Sequence, residues 1–528
     1  MRIVPIKRPH QRFALSPATG ECGAAVDPAR GRAVLCASPQ TAQPGSSTVQ
    51  IFDTLFIGNE FVKPESKDVI DVVSPHTEQV IGQVPDASPA DIDKAVAAAR
   101  DAFDNGPWPT MPPEERGEAI ARLATALQNR AEPIADLISS QNGSPKSWSI
   151  MGQVFSATMV LGGYAEYTKT YPYLDERTGA LGGRVQVRRT PVGVAAGIIP
   201  WNVPLFIMAL KLGPAMAAGV PMIIKPAPET PLDSYLFAEA VIEADLPPGV
   251  INIVPAGREN ADYILRHPGI DKVSFTGSSA VGKHIASVCG EQLKRVTLEL
   301  GGKSAAIVLD DVELDDALLN EMVMSGLMNN GQVCGAQSRI LAPRSRYNEV
   351  VDALASAVGA LHVGDPLDLT TQVGPLVAER QRTRVEGYIE SGKAAGARVV
   401  TGGERPDQAT GWYVAPTVFA DVDNTMQIAR EEIFGPVLSV IPYDGEDQAV
   451  QIANDSDYGL CGSVWTSDVE HGAEVGARVR TGVVAVNSST ILDFNAPFGG
   501  FKQSGIGREL GPEGIDPYTE LQTIILPA

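Results

Sequence analysis

The segment "LMNNGQVCGAQSR", residues 327–339, places Cys334 among glycines, amides and a serine. Such a setting suits an exposed thiol better than a core residue. A free cysteine has a pKa of about 8.5, so only a few per cent is thiolate at neutral pH unless its surroundings favour the anion. Cys289 and Cys461 fit a structural role well, whereas the local sequence leaves both a catalytic and a structural role open for Cys334.

Covalent thiol chemistry also requires a base and a group that stabilises an oxyanion. No histidine lies in a motif-like setting, so a carboxylate is the other candidate base. Glu299 ends the apolar run in "TLELGGKS", and Asn202 follows another such run in "IIPWNVP". Taken singly, each is also typical of an ordinary residue where a strand ends or the chain turns.

Residues 192–303 contain the elements that would position these side chains. We predict helices at 203–218, 232–246, 258–267 and 278–293. They alternate with five apolar runs that predict buried strands: "VGVAAGII", "MIIKP", "VINIVP", "KVSFTG" and "RVTLEL". This alternation predicts a parallel, doubly wound α/β sheet of the Rossmann-like kind. Ligands bind beyond the carboxyl ends of such strands, so functional residues should directly follow the runs.

A second region, about 304–500, repeats the mixed α/β pattern, with a long helix predicted from residue 313. The segments "RVQVRRTPVGV" and "ELQTIILPA" both have strand character and could extend a sheet across subunits. An apolar C-terminal strand would be an aggregation-prone edge in a monomer. We therefore expect a homodimer or a homotetramer.

Composition excludes several classes of protein. The chain has 528 residues, 44% of them hydrophobic, which is enough for a large core. Its net charge of −21 disfavours nucleic acid and anionic membranes as partners. No apolar run is long enough to predict a transmembrane helix. The cysteines are scattered without a CxxC pair and the histidines show no metal-binding spacing, so we expect no metal site and a reducing, cytoplasmic environment.

Residues 1–50 differ from the rest of the chain. They carry six lysines and arginines against two acidic residues and show no sustained periodicity. We expect this extension to be disordered. A transit peptide or an over-extended translation start remain alternatives.

Two glycine-rich segments could be mistaken for nucleotide motifs. "KVSFTGSSAVGKH" contains G-x-x-x-x-G-K, but His284 follows where a P-loop needs Ser or Thr for magnesium, which disfavours a nucleotide hydrolase. The weaker prediction is that Gly277, Ser278 and Gly282 let a phosphate approach a helix N-terminus. "GIGRELG" follows no strand and lacks the GxGxxG spacing, so we do not assign it to cofactor binding.

Taken together, these segments resemble the aldehyde dehydrogenase superfamily over roughly residues 52–526. Six motifs in the family's order carry the resemblance: "PWNVP" (200–204), "FTGSSAVG" (275–282), "LELGGKS" (298–304), "GQVC" (331–334), "EEIFGPV" (431–437) and "PFGGFKQSGIGRELG" (497–511). The resemblance implies a dinucleotide-binding domain at 51–172 and 192–302, a catalytic domain at 303–503, and bridging or oligomerisation strands at 173–191 and 515–528.

The resemblance also implies roles for individual residues. Cys334 would be the nucleophile, Glu299 the general base and Asn202 the oxyanion donor, while Lys211 and Glu509 match positions that the family associates with a proton path. Lys225 would bind the adenosine ribose and Glu432 the nicotinamide ribose. The full set of implied cofactor-binding residues is Ile199, Trp201, Lys225, Gly257, Gly277, Ser278, Gly282, Glu432 and Phe434.

One departure from the family bears on the cofactor. Many members place a glutamate three residues after the lysine, where it binds the adenosine 2′-hydroxyl. In "KPAPETP" that position is Pro228, and Glu229 comes one residue later. A missing carboxylate removes the repulsion that excludes a 2′-phosphate, so we expect NAD as cofactor with NADP less disfavoured than usual.

The implied function is NAD(P)-dependent oxidation of an aldehyde to a carboxylic acid through a cysteine thiohemiacetal and thioester. A coenzyme-A-acylating semialdehyde dehydrogenase is the alternative on this scaffold, and a non-catalytic binding protein is a third interpretation. By resemblance the substrate would meet mostly apolar residues, which favours aliphatic, aromatic or terpenoid aldehydes: Phe206, Leu210, Val333, Ile491 and Phe494.

Overall fold

The buried runs between residues 192 and 303 form the centre of an eight-stranded sheet. The computed structural model describes residues 49–527. The strand order across this sheet is Gly505–Ile506, Arg295–Glu299, Lys272–Thr276, Ala195–Ile198, Met222–Lys225, Ile251–Ile253, Leu55–Ile57 and Glu60–Val62. The five strands from Arg295–Glu299 to Ile251–Ile253 are parallel, and the outer strands pair antiparallel. The predicted parallel sheet is confirmed.

Both faces of this sheet are covered by helices. Alternate side chains of a strand point to opposite faces. Met222 and Ile224 therefore enter one hydrophobic core, and Ile223 enters the other. The first core packs against Pro113–Gln128, Ala131–Asn142, Ser156–Tyr167, Pro204–Ala218 and Asp233–Glu243. The second packs against Pro89–Asp104, Arg258–Arg266 and Ser279–Glu291. This is the doubly wound arrangement that the alternating sequence pattern predicts.

Capping by local side chains starts the first long helix, Pro89–Asp104. The Ser88 side chain accepts a hydrogen bond from the Asp91 backbone N–H at 3.3 Å, and the Asp91 carboxylate accepts one from the Ser88 N–H at 3.0 Å. Such a reciprocal pair satisfies two backbone donors that the helix itself cannot use. Loss of an N-cap side chain typically costs about 1 kcal/mol.

The second region folds around a seven-stranded sheet. Its order is Arg398–Thr401, Thr417–Ala420, Val437–Tyr443, Arg339–Pro343, Ala305–Val308, Cys461–Trp465 and Val483–Val486. Only Arg398–Thr401 runs antiparallel to its neighbour. The helices of this region are Asp316–Leu327, Tyr347–Gly359, Glu379–Ala394, Gln427–Arg430, Glu446–Asn454 and Val469–Gly476. A second α/β unit was expected here and is present.

The two isolated strand candidates pair with each other within one chain. Thr519–Leu526 runs antiparallel to Arg184–Pro191, which also pairs with Leu174–Thr178. Thr519–Leu526 is therefore an edge strand, and it has no second neighbour among residues 49–527. Its residues Leu521 and Ile525 are 67% and 77% exposed. The partner of the C-terminal segment is thus a strand of the same subunit.

The N-terminal part of the described chain forms a small sheet in the order Gln50–Ile51, Val80–Pro85 and Val69–Val73. The predicted disordered extension, residues 1–50, otherwise lies outside the described residues. One helical segment is irregular, because a short helix at Lys146–Trp148 runs into a π-helical stretch at Ser149–Phe155. Within residues 49–527, no helix is long and apolar enough to cross a membrane.

Candidate active site

A cavity of about 660 Å³ lies beyond the carboxyl ends of the parallel strands of the first sheet. Cys334 and Asn202 both line it, although 132 residues separate them in the chain. Glu432 and Phe434 line the same cavity from the second α/β region. The cavity therefore collects side chains from both large sheets around the thiol.

The loop that carries Cys334 depends on three consecutive left-handed residues. The helix Asp316–Leu327 ends, and Asn329, Asn330 and Gly331 follow with φ angles of 50°, 61° and 70°. Asparagine tolerates this region better than most residues, and glycine adopts it without steric cost. A Cβ at Gly331 would lie 2.2 Å from a backbone carbonyl oxygen of Gly435, so only glycine fits. The sequence "NNG" thus turns the chain towards the cavity.

The amides beside Cys334 do not surround the thiol as their sequence position suggested. The Asn330 side chain donates to the backbone carbonyls of Gly143 and Pro375 at 2.9 and 3.0 Å. The Asn329 amide donates to the Asn202 carbonyl at 3.0 Å. These buried amides therefore fix the loop that carries Cys334 to the neighbouring backbone of Asn202, Gly143 and Pro375.

The Asn202 side chain uses one of its two amide N–H groups in a hydrogen bond within the protein. It is buried between the strand Ala195–Ile198 and the helix Pro204–Ala218, and its Nδ2 donates to the carbonyl of Gln332 at 2.8 Å. A primary amide carries two N–H donors. One donor therefore orients the group. The second has no acceptor among residues 49–527, so it is available to an oxygen atom in the cavity.

Burial keeps the Cys334 thiol protonated in the resting protein. Its side chain lines the cavity but is otherwise enclosed, and this desolvation raises the pKa of Cys334 to about 12. The negative charges of Glu432 and Glu299 raise it further, whereas the backbone N–H groups of Gly335 and Cys334 lower it. A thiol in this state must lose a proton to a nearby base before it can act as a nucleophile.

Glu299 lies behind the cavity and does not line it. It ends the strand Arg295–Glu299, is 3% exposed, and has neither carboxylate oxygen hydrogen-bonded by a described residue. Its Oε1 lies so close to Gly499 that a Cβ there would be 2.8 Å away. Burial, and then the charge of Glu509, raise the pKa of Glu299 well above its ordinary value. Its charge raises the pKa of Cys334, but its carboxylate lies outside the cavity lining.

Lys211 and Glu509 form a buried ion pair beside Glu299. The Lys211 Nζ donates to Glu509 Oε1 at 2.8 Å, to Thr276 Oγ1 at 2.8 Å and to Ser274 Oγ at 3.2 Å. All three ammonium hydrogens thus have acceptors. The Lys211 charge lowers the pKa of Glu299 while Glu509 raises it, so the pair adjusts the proton affinity of that carboxyl.

Five of the nine predicted cofactor residues line the cavity: Trp201, Gly277, Ser278, Glu432 and Phe434. Phe434 has a φ of 61° and packs edge-to-face on Trp201, with ring centroids 5.3 Å apart. Glu432 Oε1 accepts a hydrogen bond from the Gly302 N–H at 3.0 Å, and burial raises the pKa of Glu432 to about 7. This corner of the cavity offers aromatic faces and a carboxylate.

The other four predicted cofactor residues lie outside the cavity lining. Ile199 and Lys225 sit at the ends of adjacent strands, joined by a 3.0 Å hydrogen bond from the Ile199 N–H to the Lys225 carbonyl. Gly257 precedes the helix Arg258–Arg266 on the same edge of the sheet. Gly282 is packed against the side chain of Leu300, which a Cβ would approach to 2.4 Å. Packing against Leu300 is a structural reason for this glycine, and its predicted part in the approach of a phosphate stays a prediction.

The apolar half of the cavity contains all five predicted substrate neighbours: Phe206, Leu210, Val333, Ile491 and Phe494. Sequence reasoning missed a further apolar group there: Trp148, Met151, Phe155, Met324 and Met328. Three of these lie in or beside the π-helical stretch Ser149–Phe155, whose periodicity matches neither an α-helix nor a strand. Met151 and Phe155 are 57% and 44% exposed, which puts them at the mouth of the cavity.

Comparison with known proteins agrees with this geometry. The sequence model of the aldehyde dehydrogenase family matches residues 61–524. The geranial dehydrogenase of Castellaniella defragrans is 48% identical over 474 residues, which cover 89% of this chain and 98% of the relative. The chain belongs to the aldehyde dehydrogenase family. It is therefore an oxidoreductase, and the interpretation as a nucleotide hydrolase is not supported.

Solved aldehyde dehydrogenases share the fold over nearly their whole length. The enzyme from Mycobacterium tuberculosis, solved with NAD+, is 49% identical, with a TM-score of 0.89 over 91% of this chain and 99% of that chain. A mutant of aldehyde dehydrogenase C from Pseudomonas syringae, solved with NAD+ and octanal, is 39% identical, with a TM-score of 0.87 over the same shares.

In this aldehyde dehydrogenase the P-loop-like segment has an ordinary structural explanation. Ser278 caps the helix Ser279–Glu291 by accepting a hydrogen bond from the Val281 N–H at 3.4 Å. His284 lies on the surface, with Nε2 2.6 Å from the carboxylate of Asp262. Over residues 49–527, no three histidine, cysteine or acidic side chains are grouped as a metal site.

Proposed function

We propose that this aldehyde dehydrogenase oxidises an apolar aldehyde to its carboxylic acid, with NAD as oxidant. The observation that carries this proposal is the shared cavity, which brings the Cys334 thiol and the Asn202 amide between an apolar half and a polar, aromatic half. Residues 51–172 and 192–302 would bind the dinucleotide, and residues 303–503 would supply the nucleophile.

The first step makes a bond between the Cys334 sulfur and the aldehyde carbon. The thiol proton passes to Glu299, whose raised pKa makes it a sufficiently strong base. The aldehyde oxygen becomes an oxyanion and receives hydrogen bonds from the spare Asn202 N–H and the backbone N–H of Cys334. One such donor typically contributes about 3 kcal/mol to transition-state stabilisation.

The residues around the cavity fit a nicotinamide dinucleotide. The Lys225 Nζ is buried, and its one hydrogen bond to a described residue goes to the Ala256 carbonyl at 3.1 Å. The other donors suit ribose hydroxyls, and burial lowers the pKa of Lys225 to about 8. Glu432 can accept hydrogen bonds from a second ribose, and Phe434 can contact its base. When bound, the dinucleotide accepts the hydride that leaves the substrate carbon.

Hydrolysis of the resulting thioester returns the enzyme to its starting state. Once the thiol proton has left Glu299, its carboxylate removes a proton from water and the hydroxide adds to the acyl carbon. The carbon–sulfur bond then breaks, the acid is released, and the Cys334 thiolate regains a proton from Glu299. Lys211 and Glu509 provide a buried route by which the proton leaves Glu299. This carboxylate-assisted hydrolysis favours the acid over a coenzyme A thioester as the product.

We propose uncharged, elongated aldehydes as substrates. The apolar half of the cavity is lined by aromatic, leucine, isoleucine and methionine side chains, which gain stability by contact with a hydrocarbon chain. One relative is named for geranial, and the aldehyde dehydrogenase C mutant was solved with octanal; both are aldehydes of this kind. Charged semialdehydes would bury a charge there without a partner, which is costly.

The cofactor and the assembly complete the proposal. NAD is the expected cofactor, as in the two solved relatives, and NADP is less disfavoured because Pro228 stands where many members have the ribose-binding glutamate. The exposed apolar edge strand Thr519–Leu526 supports a homodimer or homotetramer, in which it would be covered. A cytoplasmic location suits a nucleophile that must stay reduced.

Absorbance at 340 nm tests the function directly. The purified protein should reduce NAD+ to NADH, and so raise this absorbance, when octanal, geranial or benzaldehyde is added. The rate should be higher than with succinic semialdehyde. A parallel reaction with coenzyme A tests the alternative product. No reduction with any aldehyde, or an acyl-coenzyme A product in place of the acid, would contradict the proposal.

A further inference from the structure

An ion pair between Glu229 and Arg380 connects the two α/β regions at the cofactor end of the cavity. Glu229 follows the strand Met222–Lys225, and Arg380 lies in the first turn of the helix Glu379–Ala394. The Arg380 Nη2 and Glu229 Oε1 are 2.5 Å apart. The Glu229 side chain is 23% exposed and that of Arg380 is 61% exposed. The guanidinium can therefore turn towards a ligand without leaving a buried site.

The helix that carries Arg380 also supports the predicted nicotinamide end. Gln381 donates to the carbonyl of Phe434 at 2.7 Å, and Arg384 donates to the carbonyl of Glu432 at 2.7 Å. Arg380, Gln381 and Arg384 all line the cavity that contains Cys334. The first turns of this helix thus form one wall of the proposed cofactor groove.

Glu229 lies four residues after Lys225 and close enough for its charge to affect that lysine. Its charge raises the pKa of Lys225, although burial has the larger and opposite effect. Lys225 is the residue proposed to hold the adenosine ribose, so Glu229 and Arg380 stand beside that sugar. The 2′ position of this ribose carries a hydroxyl in NAD and a phosphate in NADP.

We propose that the Glu229–Arg380 pair selects the dinucleotide by its 2′ substituent. Arg380 would bind a 2′-phosphate, because a guanidinium matches phosphate oxygens with two parallel N–H donors. Glu229 opposes this by repelling the phosphate and by engaging Arg380. Glu229, one residue after Pro228, would thus favour NAD over NADP, which the uncharged Pro228 cannot do. The inference rests on the proposed NAD-dependent function.

The test compares dissociation constants for NAD+ and NADP+, measured without substrate by quenching of tryptophan fluorescence, since Trp201 lines the cavity. Glu229→Gln should lower the ratio Kd(NADP+)/Kd(NAD+) about tenfold, the size of one hydrogen bond to a charged group. Arg380→Gln should raise the ratio severalfold. The double variant should lose the gain seen in Glu229→Gln, because that gain requires Arg380.

A second ion pair, between Glu386 of the same helix and Arg405 beyond the strand Arg398–Thr401, provides a matched control. Arg405 and Glu386 are also 2.5 Å apart, with side chains 59% and 30% exposed, and neither lines the cavity. Arg405→Gln and Glu386→Gln should leave the ratio unchanged. Circular dichroism and thermal unfolding of each variant exclude misfolding as the cause of any change.

Several outcomes would overturn the inference. If Arg380→Gln weakens NAD+ and NADP+ equally, Arg380 contacts the pyrophosphate common to both, and the selection proposed here is wrong. An unchanged ratio Kd(NADP+)/Kd(NAD+) in Glu229→Gln would likewise show that the proposed selection is wrong. If the wild-type protein binds neither dinucleotide, the proposed NAD-dependent function is itself wrong. Binding of both with unchanged ratios in all variants would refute the inference alone.

Discussion

Replacement of Glu299 by glutamine separates the two half-reactions of the proposed mechanism. Glutamine keeps the shape of the side chain but cannot take a proton. Because Glu299 does not line the cavity, the substitution leaves the walls around Cys334 unchanged. Formation of the thioester on Cys334 should still occur, although more slowly, and the hydrolysis of the thioester should become limiting.

General base catalysis contributes a factor of about 10² to 10⁴, so kcat should fall by at least about 100-fold. The same substitution should stabilise the fold. The carboxylate is 3% exposed, has no hydrogen-bond partner among the described residues and lies beside Glu509. A neutral amide avoids most of the desolvation cost of a buried charge.

The gain in stability should depend on pH in a defined direction. The pKa of Glu299 is raised above its ordinary value of 4.5, so its protonated form favours the folded state. This contribution is complete below pH 4.5 and is lost as the pH rises through the folded pKa. Glutamine does not ionise, so its advantage in unfolding free energy should grow by up to about 1.4 kcal/mol per pH unit in that window.

Three measurements on the Glu299→Gln variant test this prediction. Rapid mixing with octanal and NAD+ should give a burst of absorbance at 340 nm, intact mass should reveal the acyl-enzyme, and urea unfolding at pH 5 and pH 8 gives the stability difference. Asp233→Asn is a matched control. Asp233 is also a buried carboxyl, its pKa raised to about 7, and it does not line the cavity. That variant should keep full activity.

A steady-state rate within threefold of the wild type would remove Glu299 from the mechanism. Slow turnover without any acyl-enzyme would mean that Glu299 acts only before the thioester forms. A Glu299→Gln protein less stable than the wild type at pH 8 would contradict the assignment of a destabilising buried charge.

Three further predictions concern the other groups of the site. Cys334→Ala should abolish aldehyde oxidation and ester hydrolysis while the Kd for NAD+ stays unchanged; residual oxidation would exclude Cys334 as nucleophile. Asn202→Ala should lower kcat about 10²- to 10³-fold, since one oxyanion donor is lost, with KM little changed. The pKa of Glu432 is raised to about 7, so its ribose-binding carboxylate should form, and NAD+ affinity should increase, as pH rises through 7. Glu432→Gln should remove that pH dependence in fluorescence titrations.

Sequence patterns predicted the structure best where interactions between residues close in the sequence determine it. The apolar runs and the glycine or proline junctions predicted the parallel strands and the helices between them, because buried strands and helix ends have local signatures. The capping box at Ser88 has the same local origin. The irregular stretch at 149–155 escaped prediction, because a π-helix has no repeat that a short window reveals.

What the sequence by itself determined is the kind of chemistry: a thiol, a carboxyl and an amide, each placed where a predicted strand or helix ends. Tertiary structure alone decided how those groups are used. It turned the Asn329 and Asn330 amides away from the thiol, enclosed Glu299 beside Glu509, and brought Arg380 to Glu229 across 151 residues of chain. The reason is physical, since composition and spacing encode burial and turns, whereas charge and hydrogen-bond partners distant in sequence exist only after the two α/β units pack together.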